Sequence, residues 1–86
     1  MDINNLIAIV KKKLTSEFVI DKIDIEDKSF SHRNHPGHQE GKFHLRLKIE
    51  SNQLKNFTRI ESNKKIYKVL DKEIREFIHS LQIFIR

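Results

Sequence analysis

The sequence predicts an α+β fold in which helices pack on one face of a three-stranded sheet. Apolar residues recur at helical spacing near the start of the chain and again beyond residue 64, whereas they alternate strictly over residues 43–50. The predicted elements follow in the order helix, strand, strand, helix, helix, strand, which places all helices together on the sheet. With 86 residues and no linker or repeat, the chain is expected to form a single domain over residues 1–86.

The first predicted helix begins after Asp2, whose side chain can cap it, and ends near Leu14. Its buried stripe consists of apolar residues at helical spacing: Ile3, Leu6, Ile7, Val10 and Leu14. The three lysines at 11–13 fall in the last predicted turn, where they would interact favourably with the helix dipole. A strand rich in valine and isoleucine is then predicted over residues 19–26.

The second strand, residues 43–50, is expected to pair antiparallel with the first strand, with the intervening residues at the tip of the hairpin. Its apolar residues point to one face and its polar residues, beginning with His44, point to the other. Residues 31–44 hold four of the five histidines, the only proline and both glycines of the chain. Since the chain has no cysteine, a metal or cluster site here would use imidazole nitrogen.

The C-terminal part is predicted to contain two helices and a short strand. Thr58 and Glu61 fit a capping box for a short helix, which is expected to turn near residues 62–63. A longer helix is predicted over residues 64–79, with apolar residues buried and a basic stripe on the opposite face. That stripe consists of Lys64, Lys68, Lys72, Arg75 and His79. A last strand is predicted over residues 82–86.

Charge and composition restrict the function classes. The net charge is +5, of which +4 falls in residues 52–86, so contact with nucleic acid is permitted without being required. The acidic N-terminus does not resemble a secretory signal, and no apolar run approaches the ~20 residues that span a bilayer. A cytoplasmic protein that neither binds membranes nor acts on a small-molecule substrate is therefore expected. Enzymatic activity is not expected, because no nucleophile–base motif or glycine-rich phosphate loop occurs.

Four segments, in this order, resemble the BolA family, and the predicted order of elements is the class II KH-like topology. Residues 27–38 (DKSFSHRNHPGH) are similar to the family's D-E-S-x-x-H segment and its H-x-G-H continuation, and residues 44–51 (HLRLKIES) to H-F-x-V-x-x-V-S. Residues 57–73 resemble F-x-G-x-S followed by V-Y-x-x-L-x-x-E, and residues 78–81 (IHSL) resemble I-H-A-L. The family's R-H-R triplet is replaced here by the Ser-Asn-Lys of residues 62–64.

The resemblance implies that the chain pairs with a monothiol glutaredoxin and shares a [2Fe–2S] cluster with it. It implies two ligands on this side: His79, in the I-H-A-L segment, and His32, in the loop between the first two strands. His35 and His38 are alternatives to His32. The remaining ligands would be thiolates on the glutaredoxin side, where glutathione contributes. Histidine ligation raises the reduction potential and, since imidazole protonates near pH 6.5, should make the cluster labile in acid.

The resemblance also implies a second class of function, because BolA-like proteins are associated with transcriptional regulation. The basic stripe, Lys64, Lys68, Lys72 and Arg75, would then contact DNA phosphates. Recognition of single strands in the KH mode uses a Gly-x-x-Gly loop between paired helices. The corresponding turn is expected at residues 61–64, which contain no glycine, so this mode is not expected.

Three further interpretations of the histidines rest on the residues alone. His32, His35 and His38 could hold a single zinc or copper ion. His79, at the end of a predicted helix, could serve only to stabilise the helix dipole. His44 is expected to be an outward-facing strand residue with a structural role.

Overall fold

A computed structural model describes residues 1–29 and 42–86 of the chain. The elements are α1 (Ile3–Glu17), β1 (Lys22–Asp27), β2 (Phe43–Glu50), α2 (Asn52–Lys55), α3 (Arg59–Val69), α4 (Asp71–Glu76) and β3 (Ile78–Ile85). This order confirms the predicted α+β class with a three-stranded sheet. It differs from the prediction in the four-residue helix α2, which follows directly on β2.

Helix α1 begins as predicted, because the side chain of Asp2 accepts a hydrogen bond from the Asn4 N–H. Three members of the predicted apolar stripe are fully buried: Leu6, Val10 and Leu14. The helix ends at Glu17 rather than near Leu14, so the lysines at 11–13 lie within it and not in its last turn. The predicted interaction of these lysines with the helix C-terminus is therefore wrong.

Strand β2 lies at the centre of the sheet, antiparallel to β1 and parallel to β3. The antiparallel pair confirms the predicted hairpin. Parallel neighbours need a long crossover connection, which α2, α3 and α4 supply. Strand β1 begins at Lys22 rather than Val19, because the main chain of Val19 is bonded to the α2 region. Its N–H donates to the Gln53 side chain and its C=O accepts from the Ser51 hydroxyl.

The core lies between the helices and one face of the sheet. On β2, the predicted alternation holds: Leu45, Leu47 and Ile49 are at most 1% exposed. The helices supply the opposing buried residues: Leu6, Val10, Leu14, Leu54, Ile66 and Leu70. Register pairing continues the apolar face onto the outer strands, since Leu47 lies between Ile25 on β1 and Ile83 on β3.

The other face of the sheet carries no helix and is lined by polar side chains. Glu26 on β1 lies 3.1 Å from the ammonium of Lys48 and 3.5 Å from that of Lys28. The hydrogen bond from Lys48, helped by the charge of Lys28, lowers the pKa of the Glu26 carboxyl below its usual value. This face is called the open face below.

The capping box at the start of α3 is present as predicted. The Thr58 hydroxyl accepts from the Glu61 N–H at 3.1 Å, and the Glu61 carboxylate accepts from the Thr58 N–H at 2.9 Å. The helix does not turn near residues 62–63, however. Ser62 is buried within it and donates a hydrogen bond to the Leu54 C=O.

The predicted helix over residues 64–79 is wrong at both ends. Helix α3 starts earlier, at Arg59, and helical geometry is interrupted at Leu70, where φ is −97° and ψ is 16°. Helix α4 ends before Phe77, whose C=O accepts a hydrogen bond from the Phe43 N–H at the start of β2. From Ile78 onward the chain pairs with β2. The last strand therefore covers residues 78–85, not 82–86.

Candidate functional site

A β-bulge at the start of β3 places His79 at the surface. In the parallel pairing, Ile78 lies opposite Phe43 and Ser80 lies opposite His44, so His79 is the extra residue between them. A bulge interrupts the alternation of a strand and redirects the extra side chain. His79 is exposed, and it lies in a strand rather than at the end of a helix as predicted.

The ring of His44 packs against the ring of His79. The two ring centroids are 4.8 Å apart and the rings are inclined at 76°, an edge-to-face arrangement. His44 is only 5% exposed, and its Nδ1 lies 2.6 Å from the Ser80 hydroxyl oxygen. The buried imidazole is thus fixed by a hydrogen bond and in turn supports one side of the His79 ring.

The sequence indicated the direction of His44 but not this contact. Strand alternation correctly placed the side chain away from the helices. The contact with His79 depends on the bulge and on parallel pairing of β2 with β3, and neither has a signal in the residues themselves. A second imidazole at the start of an adjacent strand was the clue that sequence reasoning passed over.

The ends of the histidine-rich segment lie at the same edge of the sheet as His79. On one side, the Ser29 hydroxyl accepts a hydrogen bond from the His44 N–H at 3.0 Å. On the other side, the Lys42 ammonium contacts the Arg75 C=O at 3.4 Å, in the helix just before β3. The segment that joins Ser29 to Lys42 therefore leaves the sheet and rejoins it beside His79.

The predicted loop ligands His32, His35 and His38 fall outside the described residues. Within residues 1–29 and 42–86, no group of three histidine or carboxylate side chains could hold a metal ion. The donors available in this part of the chain are imidazoles, which suit iron, zinc and copper. His79 fits a metal or cluster only if further ligands come from the loop or from another protein.

The basic stripe is exposed but divided between two helices. Lys64 and Lys68 lie on α3, while Lys72 and Arg75 lie on α4 beyond the break at Leu70. The regular spacing predicted for one long helix is therefore wrong. His79, predicted as the fifth member, lies on β3 instead.

One end of the stripe is partly neutralised. The Arg75 guanidinium pairs with the Asp71 carboxylate at 3.0 Å, one helical turn away. Both side chains are well exposed, so the pair contributes little to stability but lowers the local positive charge. The lysines at 64, 68 and 72 provide most of the positive charge on this surface.

The turn between paired helices also differs from the prediction. It was expected at residues 61–64, which instead lie inside α3. Helix α2 is joined to α3 by residues 56–58, Asn-Phe-Thr. This turn likewise contains no glycine, so the expectation against single-strand recognition through a Gly-x-x-Gly loop is unchanged.

Comparison with known proteins places the chain in a family. The family model described as BolA-like protein matches residues 14–86. The chain belongs to the BolA family. This confirms the resemblance drawn from the four sequence segments. Among curated proteins, the DNA-binding transcriptional regulator BolA of Haemophilus influenzae is 28% identical over 75 residues, which cover 87% of this chain and 70% of that protein.

Solved structures of BolA domains share the fold. The BolA domain of SufE1 from Arabidopsis thaliana is 25% identical with a TM-score of 0.77, over 92% of this chain and 87% of that one. BolA1 from Arabidopsis thaliana is 24% identical with a TM-score of 0.75, over the same shares of the two chains. The α+β architecture with a three-stranded mixed sheet is therefore that of BolA domains.

The possibility of a membrane-spanning helix was tested on residues 1–29 and 42–86. In that part of the chain, no helix combines the length and the apolar character needed to cross a bilayer.

Proposed function

We propose that this BolA-like chain is an adaptor that pairs with a monothiol glutaredoxin and co-ligates a [2Fe–2S] cluster, for iron–sulfur trafficking or sensing. His79 is the ligand from β3, and His32 is the ligand from the loop, with His35 and His38 as alternatives. The chain supplies imidazole only, so the partner and its glutathione supply the thiolates. A cluster shared in this way is transferred or sensed rather than used in catalysis.

The observation that carries this proposal is the position of His79. Its imidazole is exposed at the bulge, supported by the buried ring of His44, at the edge where the histidine-rich segment joins the sheet. An exposed imidazole with one side held is suited to bind a metal that a partner presents, because little ordering remains to be done on binding. A loop histidine can complete the pair without a change in the sheet.

The proposal is tested by mixing the chain with a monothiol glutaredoxin that carries a [2Fe–2S] cluster and recording visible circular dichroism. The wild-type chain should change the spectrum, and His79→Ala should reduce the change sharply. Glu76→Ala is the matched control, since Glu76 is exposed three residues away on α4. Unchanged spectra in the presence of a stable wild-type complex would refute the ligand assignment.

The loop ligand is identified by single alanine substitutions of His32, His35 and His38 in the same assay. We expect His32→Ala to have an effect comparable to that of His79→Ala, and the other two to have smaller effects. If His35→Ala or His38→Ala has the larger effect, that residue is the ligand. Equal and small effects of all three would exclude a ligand from this segment.

A second candidate function is DNA-binding transcriptional regulation. It is favoured by the Haemophilus influenzae relative, which is named as a DNA-binding transcriptional regulator. The basic stripe on α3 and α4 would supply phosphate contacts, chiefly Lys64, Lys68 and Lys72, with Arg75 partly neutralised.

Titration of a DNA duplex at several salt concentrations tests this second function. Binding should weaken steeply with salt, and a Lys68→Glu/Lys72→Glu variant should lose most of it. A Lys11→Glu/Lys12→Glu variant is the matched control, because both lysines are exposed on α1. Absence of binding at low salt, or equal loss in both variants, would exclude DNA contact through this stripe.

A further inference from the structure

A groove runs along the outer edge of β3, at the opposite end of that strand from His79. Its volume is about 650 Å³. One wall is the last part of β3, and the other is formed by α2, the turn after it and the first turns of α3. Its main contributors are Leu54, Lys55, Phe57, Arg59, Ile83 and Ile85. Nothing in the proposed cluster site involves these residues, so this inference goes beyond the proposed function.

The main chain of β3 offers hydrogen-bonding groups to this groove. Arg86 is bonded to β2 on both sides: its N–H donates to Ile49, and its C=O accepts from Ser51. Leu81 points the other way, since its C=O accepts from the hydroxyl of Tyr67 on α3.

Successive residues of a strand present their main-chain groups to opposite edges. The N–H and C=O groups of Ile83 and Ile85 therefore point away from β2, into the groove. The strand order β1-β2-β3 leaves this edge of β3 without a neighbouring strand in the part of the chain that is described. An edge of this kind is a template for an added strand.

The floor of the groove is apolar and one large side chain stands at its rim. Leu54 is fully buried beneath it, and Ile83, Ile85 and Phe57 are partly buried. Phe84 is 50% exposed. A strand placed here would bury alternate side chains against this floor.

The charge of the groove is of one sign. Four of its lining residues are cationic, Lys48, Lys55, Arg59 and Arg86, and none is acidic. Lys48 is paired with Glu26. Among residues 1–29 and 42–86, the other three cations form no ion pair within 4 Å of a carboxylate. The occupant that complements this groove is anionic.

We propose that the groove binds an extended acidic segment of a partner protein, which adds to β3 as a fourth strand. About 3.3 Å per residue along the edge allows the 83–85 segment to pair with some three to four residues of the partner. Main-chain hydrogen bonds to Ile83 and Ile85 would provide the affinity. The cations would select glutamate or aspartate at the rim, and the floor would select an apolar residue between them.

An extended peptide fits the groove better than a nucleic acid does. Base stacking needs open aromatic faces. The ammonium of Lys65 lies 4.6 Å from the centroid of the Phe57 ring, and the guanidinium of Arg46 lies 5.8 Å from that of Phe84. One face of each ring is thus occupied. The turn at residues 56–58 also lacks the glycines that allow a phosphate chain to approach closely.

The probe is a fluorescein-labelled seven-residue peptide that alternates glutamate with valine and is capped at both ends. Its anisotropy is measured against the full chain at low and moderate salt. Three comparison probes are used: the same peptide with lysine in place of glutamate, the same peptide N-methylated at alternate residues, and a ten-nucleotide oligothymidylate. The acidic peptide should bind, and the basic and N-methylated peptides should not.

Two variants test the position of the site. Arg59→Glu should weaken binding of the acidic peptide about fivefold or more at low salt, because a favourable rim charge becomes repulsive. Lys64→Glu is the matched control: it makes the same charge change on α3 outside the groove and should have little effect. Hydrogen exchange followed by NMR should show new protection of the Ile83 and Ile85 amides when the acidic peptide is bound.

Several results would overturn the proposal. The first is equal binding of the acidic and basic peptides. The second is binding of the acidic peptide that leaves the Ile83 and Ile85 amides unprotected. The third is binding of the oligothymidylate that Arg59→Glu abolishes, with no binding of the acidic peptide, which would assign the groove to nucleic acid. Loss of cluster binding in His79→Ala has no bearing on any of these results, so the two proposals fail separately.

Discussion

The ion pair between Lys13 and Glu73 makes a quantitative prediction about how α4 is fixed to α1. Glu73 is 4% exposed, and one of its carboxylate oxygens lies 2.7 Å from the Lys13 ammonium. The other oxygen, Oε1, is buried with no hydrogen-bond partner in the described part of the chain. Lys13→Met would therefore leave a buried carboxylate without its only cation, while keeping a similar helix propensity and stem length.

The expected loss of stability follows from the burial of the two partners. Removing one partner of a fully buried pair costs about 3–5 kcal/mol. The Lys13 side chain is 38% exposed, so water can partly replace its ammonium. We therefore expect Lys13→Met to lower the free energy of unfolding by about 2 kcal/mol, or the Tm by about 8–16 °C for a domain of this size.

A double-mutant cycle separates the pair from the individual side chains. Glu73→Leu removes the buried charge, so adding Lys13→Met to it should have little further effect. Lys12→Met is the matched control, because Lys12 is exposed on the same helix. Urea unfolding followed by far-ultraviolet circular dichroism gives the four free energies. A coupling energy below about 0.5 kcal/mol, or equal effects of Lys12→Met and Lys13→Met, would refute this account of the pair.

Three other predictions concern single groups. The pKa values of Glu26 and Glu61 are lowered in the folded chain, by the hydrogen bond from Lys48 and by the Thr58 N–H respectively, so their stabilising effect is present above pH 4.5 and is lost as the pH falls through the folded pKa values. Urea midpoints between pH 6 and 3 should fall less for Glu26→Gln than for the wild type. Ser62→Ala removes a buried hydrogen bond and should lower the free energy of unfolding by about 1–2 kcal/mol, measured against exposed Lys64→Ala; no loss would contradict the inferred bond. For the cluster assay, a variant in which the buried histidine beside His79 is replaced by phenylalanine should give a smaller dichroic change than the wild type, and an unchanged spectrum would mean that this ring does not support His79.

Local patterns in the sequence predicted the parts of the fold that local interactions determine. The alternation over residues 43–50 predicted both the strand and its faces, because burial on one face of a sheet fixes the side-chain period. The capping box at Thr58 predicted a helix start at the correct residue, since both of its hydrogen bonds join residues three apart.

The sequence failed where non-local pairing decides the structure. Ile66, Leu70, Ile74 and Ile78 continue a helical period, which favoured one long helix to residue 79. The chain instead leaves the helix at Leu70 and again at Phe77, whose C=O bonds to Phe43. Ile78 is still buried, but on a strand. A periodic apolar pattern cannot distinguish these outcomes, because each buries the same side chain.

The candidate site was predicted in part. The resemblance to the BolA family singled out His79, and the chain is a member of that family. Neither the bulge that exposes this residue nor the contact with His44 could be derived, because both depend on how β3 aligns with β2. The basic stripe was predicted as four residues on one helix, and the break at Leu70 was not foreseen.

The change from helix to strand at residue 79 alters the argument about His79. At a helix C-terminus, a histidine has a structural reason to be present, because its positive form is favoured by the helix dipole. His79 lies instead at a bulge in β3, where no helix end is formed by its own segment. That structural explanation therefore no longer applies. What remains to account for an exposed imidazole, supported on one side by a buried one, is an interaction with something outside the described chain. A metal-bearing partner is the interaction that imidazole chemistry favours, and the His79→Ala experiment tests it directly.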